Sequence, residues 1–167
     1  SSGGAGIQAD LKTIAAHGLY GMSVITALTA QNTTGVYGIL EADAAFVEAQ
    51  MDAVFTDIFP DAVKIGMVSN ADIIRAIANG LRRYQPKNIV VDPVMVSTSG
   101  SALLSPDAVQ ALCTELLPLA TVITPNIPEA QKLSGEPIVD AAGMELAGEK
   151  IAPQYGVNVL MKGGHRI

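Results

Sequence analysis

The sequence has no tryptophan, a single cysteine and few aromatic or charged residues. Each of these shortages argues against particular classes of protein. Of its 167 residues, 4% are aromatic and 16% are charged, whereas 49% are hydrophobic. This composition disfavours disorder and requires a core built from aliphatic side chains. Such cores are common in α/β proteins, whose parallel strands are covered on both faces.

The shortages of cysteine and of positive charge argue against other classes of protein. Cys113 is the only cysteine, so no internal disulfide can form, which is typical of an intracellular protein and predicts a cytoplasmic one. The formal net charge is -6 and no stripe of Lys or Arg is present, so we expect no nucleic-acid partner. We also expect no membrane partner, because the sequence contains no signal peptide and no apolar run of membrane-spanning length.

Strand-like and helix-like segments alternate along the chain. Amphipathic runs that follow the good N-cap residues Asp43, Asn70 and Ser105 predict helices, and short apolar runs rich in β-branched residues predict strands. This alternation indicates right-handed βαβ crossovers and a mostly parallel sheet with helices on both faces, in a single domain over residues 1–167. The predicted strands are 22–28, 36–40, 63–67, 88–91, 121–124 and 158–161.

Polar residues and a glycine fall at the carboxyl ends of the predicted strands. They are Gln31, Gly66, Asp92, Asn126 and Lys162. Ligands in open α/β sheets bind at the carboxyl ends of the strands, so these residues predict a site along one edge of the sheet. The pattern alone does not identify the ligand.

The segment Asn126-Ile127-Pro128-Glu129 connects a predicted strand to a predicted helix. An amide and a carboxylate three residues apart can hold Mg²⁺, usually through its waters. The same spacing is that of a capping box, in which each side chain hydrogen-bonds to the backbone of the other residue. The residues alone leave both interpretations open.

Three further polar side chains have a binding interpretation and a structural one, and a fourth, Asp10, has a structural one. Gln31 can hydrogen-bond a heterocycle or cap a loop. Lys162 can bind a phosphate as a point charge or be a solvated lysine at a strand end. Asp92 suits a metal–phosphate centre or an Asp-Pro turn, and Asp10, close to a helix N-terminus, is favourable to the helix dipole.

Six short segments are distinctive when they are taken together and in order. They are Ser2-Gly3-Gly4-Ala5-Gly6-Ile7-Gln8-Ala9-Asp10, Thr26-Ala27-Leu28-Thr29-Ala30-Gln31-Asn32-Thr33, Lys64-Ile65-Gly66-Met67, Asp92-Pro93-Val94-Met95, Thr124-Pro125-Asn126-Ile127-Pro128-Glu129-Ala130 and Lys162-Gly163-Gly164-His165. Over the whole chain the sequence resembles the hydroxymethylpyrimidine/phosphomethylpyrimidine kinases of thiamine biosynthesis. The resemblance implies a ribokinase-like three-layer α/β sandwich, because that family belongs to the ribokinase-like superfamily.

The resemblance also implies an activity and a substrate pocket. The activity would be the ATP-dependent phosphorylation of 4-amino-5-hydroxymethyl-2-methylpyrimidine and then of its monophosphate. By resemblance, Gln31 and Asp10 are expected to bind the aminopyrimidine. Ala5, Met67 and Val94 are expected to form the apolar walls around its ring.

For the phosphate end of the site, the resemblance implies ATP and Mg²⁺ as cofactors. Asn126 and Glu129 match the Mg²⁺-associated motif of the superfamily, with Asp92 nearby. Lys162 is expected to contact the nucleotide phosphates, with Asp92 in the same phosphate-binding group. Family resemblance further suggests a homodimer.

Two parts of the family pattern have no match in this chain. They are the first strand and a downstream Gly-Thr-Gly loop that carries the proposed catalytic base and the anion hole. We therefore expect the domain to be incomplete at both ends, with its base outside the chain and no activity for the chain alone. Two alternatives stay open: a pyridoxal kinase of the same superfamily, or a truncated, non-catalytic pyrimidine-binding relative.

Overall fold

Helices and strands alternate in the computed structural model of the protein, which describes residues 2–95 and 104–164. The described strands form a two-stranded sheet and a four-stranded sheet. The helices are α1 (Gly6–Ala16), α2 (Ala44–Asp57), α3 (Ala71–Tyr84), α4 (Pro106–Ala111), α5 (Ile127–Ser134) and α6 (Ala141–Tyr155). The strands are β1 (Ala27–Gln31), β2 (Val36–Glu41), β3 (Val63–Ile65), β4 (Ile89–Val91), β5 (Val122–Ile123) and β6 (Asn158–Val159). A π-helical turn (Leu112–Leu116) and a 3₁₀ turn (Leu117–Leu119) follow α4.

The four-stranded sheet is parallel and has the strand order β3-β4-β5-β6, which confirms the prediction of a parallel sheet. Each crossover steps in the same direction, so right-handed connections put the helices after β3 on one face of the sheet. Ile65, Val91 and Ile123 are in register, share a face and are all buried. Lys64 and Val90 point to the opposite face and are less buried, because side chains alternate along a strand.

The apolar face predicted for α3 is confirmed. Ile73, Ile74, Ile77 and Leu81 are all buried in the main core. Gly80 lets α2 approach closely, since a Cβ atom at this position would lie 2.5 Å from Cε of Met51. In the described part of the chain, no helix is both long enough and apolar enough to cross a membrane.

The helix starts follow the predicted N-cap residues. Asp43 accepts a hydrogen bond from the backbone N–H of Ala45 at 2.8 Å, and Asn70 accepts one from Ile73 at 2.9 Å. Ser105 caps α4 in the same way, directly before a proline. These side chains satisfy backbone donors that would otherwise lack a partner in the first helical turn.

The prediction of a strand at 22–28 is wrong, because β1 begins at Ala27. The backbone of Ile25 instead bonds to the side chain of Gln50 on α2, at 2.9 Å and 3.0 Å. β1 pairs antiparallel with β2 through the short loop 32–35. A loop this short can join antiparallel strands but not parallel ones.

The hairpin of β1 and β2 is attached to the loop at the carboxyl end of β3. Thr26 Oγ1 donates to the carbonyl of Met67 at 3.2 Å. Asn70 Nδ2 donates to Glu41 Oε2 at 2.8 Å, which ties the end of β2 to the start of α3. The prediction that Gln31 ends a strand of the parallel sheet is therefore wrong, since it ends a strand of the hairpin.

Candidate active site

The other four predicted strand-end residues lie along one edge of the parallel sheet. Gly66 follows β3, Asp92 follows β4, Asn126 follows β5 and Lys162 follows β6. The ladder continues past the strands, because Lys162 N–H donates to the carbonyl of Pro125 at 2.9 Å and pairs with Asn126 in a parallel bridge. This edge is the one at which open α/β sheets bind ligands.

Asp92 and Lys162 form an ion pair across this edge. Lys162 Nζ donates to Asp92 Oδ1 at 2.7 Å, and the side chains are 41% and 25% exposed for Lys162 and Asp92. Because β5 lies between β4 and β6, the pair spans the end of the central strand β5. A cation and a carboxylate are thus both accessible to a ligand at one point of the edge.

Asn126 and Glu129 form a capping box at the start of α5. Asn126 N–H donates to Glu129 Oε2 at 2.9 Å, and Glu129 N–H donates to Asn126 Oδ1 at 2.9 Å. The structural interpretation of this segment is confirmed. The association of the two side chains with Mg²⁺ stays a prediction. A carboxylate that caps a helix can at the same time place negative charge near a bound ion.

Glu129 is only 1% exposed, which is unusual for a carboxylate. Burial raises the pKa of Glu129 above its ordinary value, and the negative charge of Asp92 adds to this effect. Backbone hydrogen bonds from Asn126 and Met95 and the positive charge of Lys162 act in the opposite direction. The buried carboxyl group therefore responds electrostatically to both members of the ion pair.

The donor set at this edge fits Mg²⁺ in its chemistry. Mg²⁺ usually keeps several waters and is bound through one or two carboxylates together with substrate phosphates. Asp92 is the partly exposed carboxylate that a hydrated ion can approach, and Glu129 lies buried close to it. Of the two carboxylates, Asp92 is the more exposed, so a hydrated ion would contact it first, and an ionised Glu129 would add negative charge from the interior.

Asp10 lies in α1 and forms an ion pair that the sequence did not suggest. Lys64 Nζ, from the middle of β3, donates to both carboxylate oxygens of Asp10, at 3.0 Å and 2.8 Å. The pair links α1 to the less buried face of the sheet, from which the side chain of Lys64 projects. A charged residue between the apolar residues Val63 and Ile65 was the available signal for Lys64.

Gln31 is the last residue of β1 and is half-buried. Its side-chain Oε1 accepts a hydrogen bond from Thr29 Oγ1 at 3.3 Å. Its carbonyl accepts one from the N–H of Ser2 at 3.1 Å, which joins the glycine-rich opening loop to the end of β1. The hairpin and the opening loop therefore meet at Gln31.

The three predicted wall residues lie in connecting segments. Ala5 occupies the N-cap position of α1 and is exposed, and Met67 lies after β3 where the hairpin is attached. Val94 donates its N–H to the carbonyl of Asp92 at 2.8 Å, so it lies beside the ion pair. His165, from the last of the six segments, is outside the described residues.

The sequence matches one known protein family along its whole length. The model of the phosphomethylpyrimidine kinase family matches residues 1–167. A hydroxymethylpyrimidine/phosphomethylpyrimidine kinase of Rhizobium meliloti (strain 1021) is 60% identical over 166 residues, which are 99% of this chain and 62% of that relative. The chain thus spans less than two thirds of the length of this curated relative.

Solved structures show the same fold. A phosphomethylpyrimidine kinase from Clostridium difficile 630 matches with a TM-score of 0.92 and 54% identity, covering 99% of this chain and 71% of that one. A pyridoxal kinase from Bacillus subtilis, solved as an ADP complex, matches with a TM-score of 0.82 and 38% identity, covering 96% of this chain and 60% of that one. The predicted ribokinase-like α/β fold is confirmed, and the chain belongs to the phosphomethylpyrimidine kinase family.

Proposed function

We propose that the protein transfers phosphate from ATP to 4-amino-5-hydroxymethyl-2-methylpyrimidine and then to the resulting monophosphate, in the synthesis of thiamine diphosphate. Membership of the phosphomethylpyrimidine kinase family supports this reaction class. The observation that carries the proposal is the ion pair of Lys162 with Asp92 beside the buried Glu129. In phosphoryl transfer the protein catalyses mainly by positioning the reactants and stabilising their charge with groups such as these.

Lys162 is the residue that would bind the nucleotide phosphates. Its ammonium group is partly exposed at the carboxyl edge, and a lysine there acts as a compact positive charge. Mg²⁺, when bound, supplies further neutralisation of the phosphate charge. Asp92 would contact the Mg²⁺ ion, and the buried Glu129 would add negative charge close to it. The capping box with Asn126 keeps the Glu129 side chain in place.

Gln31 and Asp10 would recognise the pyrimidine. An amide can accept from the exocyclic amine and donate to a ring nitrogen, and a carboxylate can accept from the same amine. Ala5, Met67 and Val94 would enclose the ring. Val94 neighbours Asp92 through a backbone hydrogen bond, so a ring against this wall would lie near the phosphate-binding charges.

Pyridoxal is the alternative substrate. The likeness to a pyridoxal kinase from Bacillus subtilis at a TM-score of 0.82 favours this second candidate. Pyridoxal has no exocyclic amine on its ring, so the acceptors of Asp10 and Gln31 would lose a donor. We prefer the aminopyrimidine for this reason and because the relative of Rhizobium meliloti is 60% identical.

The test is phosphate transfer from Mg²⁺-ATP to each ring by the protein that carries this 167-residue sequence. We expect transfer to hydroxymethylpyrimidine and a loss of about tenfold to a hundredfold in kcat/KM for Gln31→Leu, because the hydrogen bonds from the amide to the ring are removed. Gln110→Leu, on the exposed side of α4, is the matched control and should keep full activity. Transfer to pyridoxal alone would overturn the substrate, and transfer to neither ring by the folded protein would favour the non-catalytic binding relative.

We also propose that the protein is a homodimer. All six residues of β2 are exposed, and Tyr37 and Leu40 among them are 71% and 68% exposed. Large apolar side chains that are exposed along a strand often mark a protein interface, which supports the proposal. The cytoplasmic location and the single domain over residues 1–167 stay predictions.

A further inference from the structure

Lys64 has no part in the proposed chemistry, although it belongs to one of the six distinctive segments. Its side chain leaves β3 on the less buried face of the sheet. There its ammonium group contacts both oxygens of the Asp10 carboxylate, at 3.0 Å and 2.8 Å. A carboxylate held at both oxygens by one cation has a defined orientation.

This contact matters because α1 is otherwise weakly attached. No residue of α1 is fully buried and Asp10 is only half-buried, so packing contributes little to where Asp10 lies. Lys64 comes from the central part of β3, one of the elements of the hydrophobic core through Ile65. The ion pair thus joins a side chain of an exposed helix to a strand of the hydrophobic core.

A role in fold stability is a weak explanation for the pair. The side chains of Lys64 and Asp10 are 40% and 35% exposed. Ion pairs exposed to this extent contribute about 0.2–1 kcal/mol to stability. The protein should therefore stay folded without the pair, and the geometry of Asp10 is what its loss would change.

We propose that Lys64 is a positioning residue that holds the Asp10 carboxylate for recognition of an amine on the substrate ring. The inference rests on the proposed function and deepens it. An ionised carboxylate has about four lone-pair sites, so two contacts from Lys64 leave acceptors for an exocyclic amine. The pair then contributes to the preference for an aminopyrimidine over a pyridine that lacks the amine.

Calorimetric binding of hydroxymethylpyrimidine and of pyridoxal, without ATP, tests this role. For Lys64→Met we expect the Kd of the aminopyrimidine to rise about tenfold, which is about 1.4 kcal/mol. The Kd of pyridoxal and that of ATP should change less than about twofold, since neither depends on Asp10. Lys64→Arg should recover most of the affinity, because a guanidinium can also contact both oxygens.

Lys87→Met is the matched control, because Lys87 is exposed between α3 and the start of β4, at the opposite edge of the sheet. It should bind all three ligands as the unmodified protein does. Two results would overturn the role of Lys64: unchanged affinity of Lys64→Met for the aminopyrimidine, or equal loss for every ligand together with a lower melting temperature. If the unmodified protein binds neither ring, the proposed function itself fails, and this inference fails with it.

Discussion

Replacing Glu129 by glutamine or by alanine separates two roles of one side chain, capping α5 and carrying negative charge. Glu129 Oε2 accepts a hydrogen bond from the N–H of Asn126 at 2.9 Å. Glutamine has nearly the same shape and keeps a carbonyl oxygen that can accept this bond, but it carries no charge. Alanine removes both the acceptor and the charge.

The two variants should differ clearly in stability. Glu129→Ala leaves a backbone donor without its partner in a site where the lost side chain was 1% exposed. Loss of a hydrogen bond to a charged group costs about 1.5–3 kcal/mol, so we expect a loss of that size in the free energy of unfolding. For Glu129→Gln we expect a loss of less than about 1 kcal/mol, because the cap is kept.

The pH dependence gives the sign of the charge effect. Burial raises the pKa of Glu129 in the folded protein. The contribution of Glu129 to the free energy of unfolding is therefore fully present below its unfolded-state pKa of about 4.3. This contribution is lost as pH rises through the higher folded-state pKa. Glu129→Gln has no such loss, so its stability relative to the unmodified protein should improve as pH rises above about 4.

Urea unfolding at several pH values and steady-state kinetics check this reasoning. If the charge of Glu129 supports the ion at Asp92, Glu129→Gln should stay folded and lose about tenfold to a hundredfold in activity with Mg²⁺-ATP. A Gln variant as active as the unmodified protein would refute the charge role. A Gln variant as unstable as the Ala variant would refute the separation of cap and charge.

Two further predictions concern the nucleotide and the second subunit. Lys162→Met should raise the KM for ATP at least about tenfold and leave the Kd of the pyrimidine unchanged, because it removes the cation beside Asp92 but no pyrimidine-binding group. Initial rates at varied ATP check this, and an unchanged KM would contradict it. Leu40→Asp should give a monomer in analytical ultracentrifugation, whereas Leu146→Asp, an exposed leucine on α6, should not. A dimer that persists in Leu40→Asp would exclude β2 as the interface.

The local features of the fold were predictable because they depend on residues close in sequence. Asp43, Asn70 and Ser105 cap their helices through hydrogen bonds that span two or three residues. The capping box of Asn126 and Glu129 also joins residues only three apart, and this spacing indicated it as one of two interpretations. What these four-residue patterns could not decide was whether the buried carboxylate also serves an ion.

The hairpin was mispredicted because periodicity does not determine a strand's partner. The run 22–28 has the composition of a buried strand, but the side chain of Gln50 satisfies the backbone of Ile25 from 25 residues away. The strand therefore starts at Ala27 and turns back on β2. Only the packing of α2 against this segment could show where β1 begins.

By itself, the sequence determined the alternation of helices and strands, the helix caps, and the polar residues at the ends of the parallel strands. Its motifs also indicated the family. The tertiary structure alone decided which charges meet: Lys162 with Asp92 across 70 residues, and Lys64 with Asp10 across 54. Such pairs depend on the order and register of the strands, which the hydrophobic core sets and no local pattern encodes.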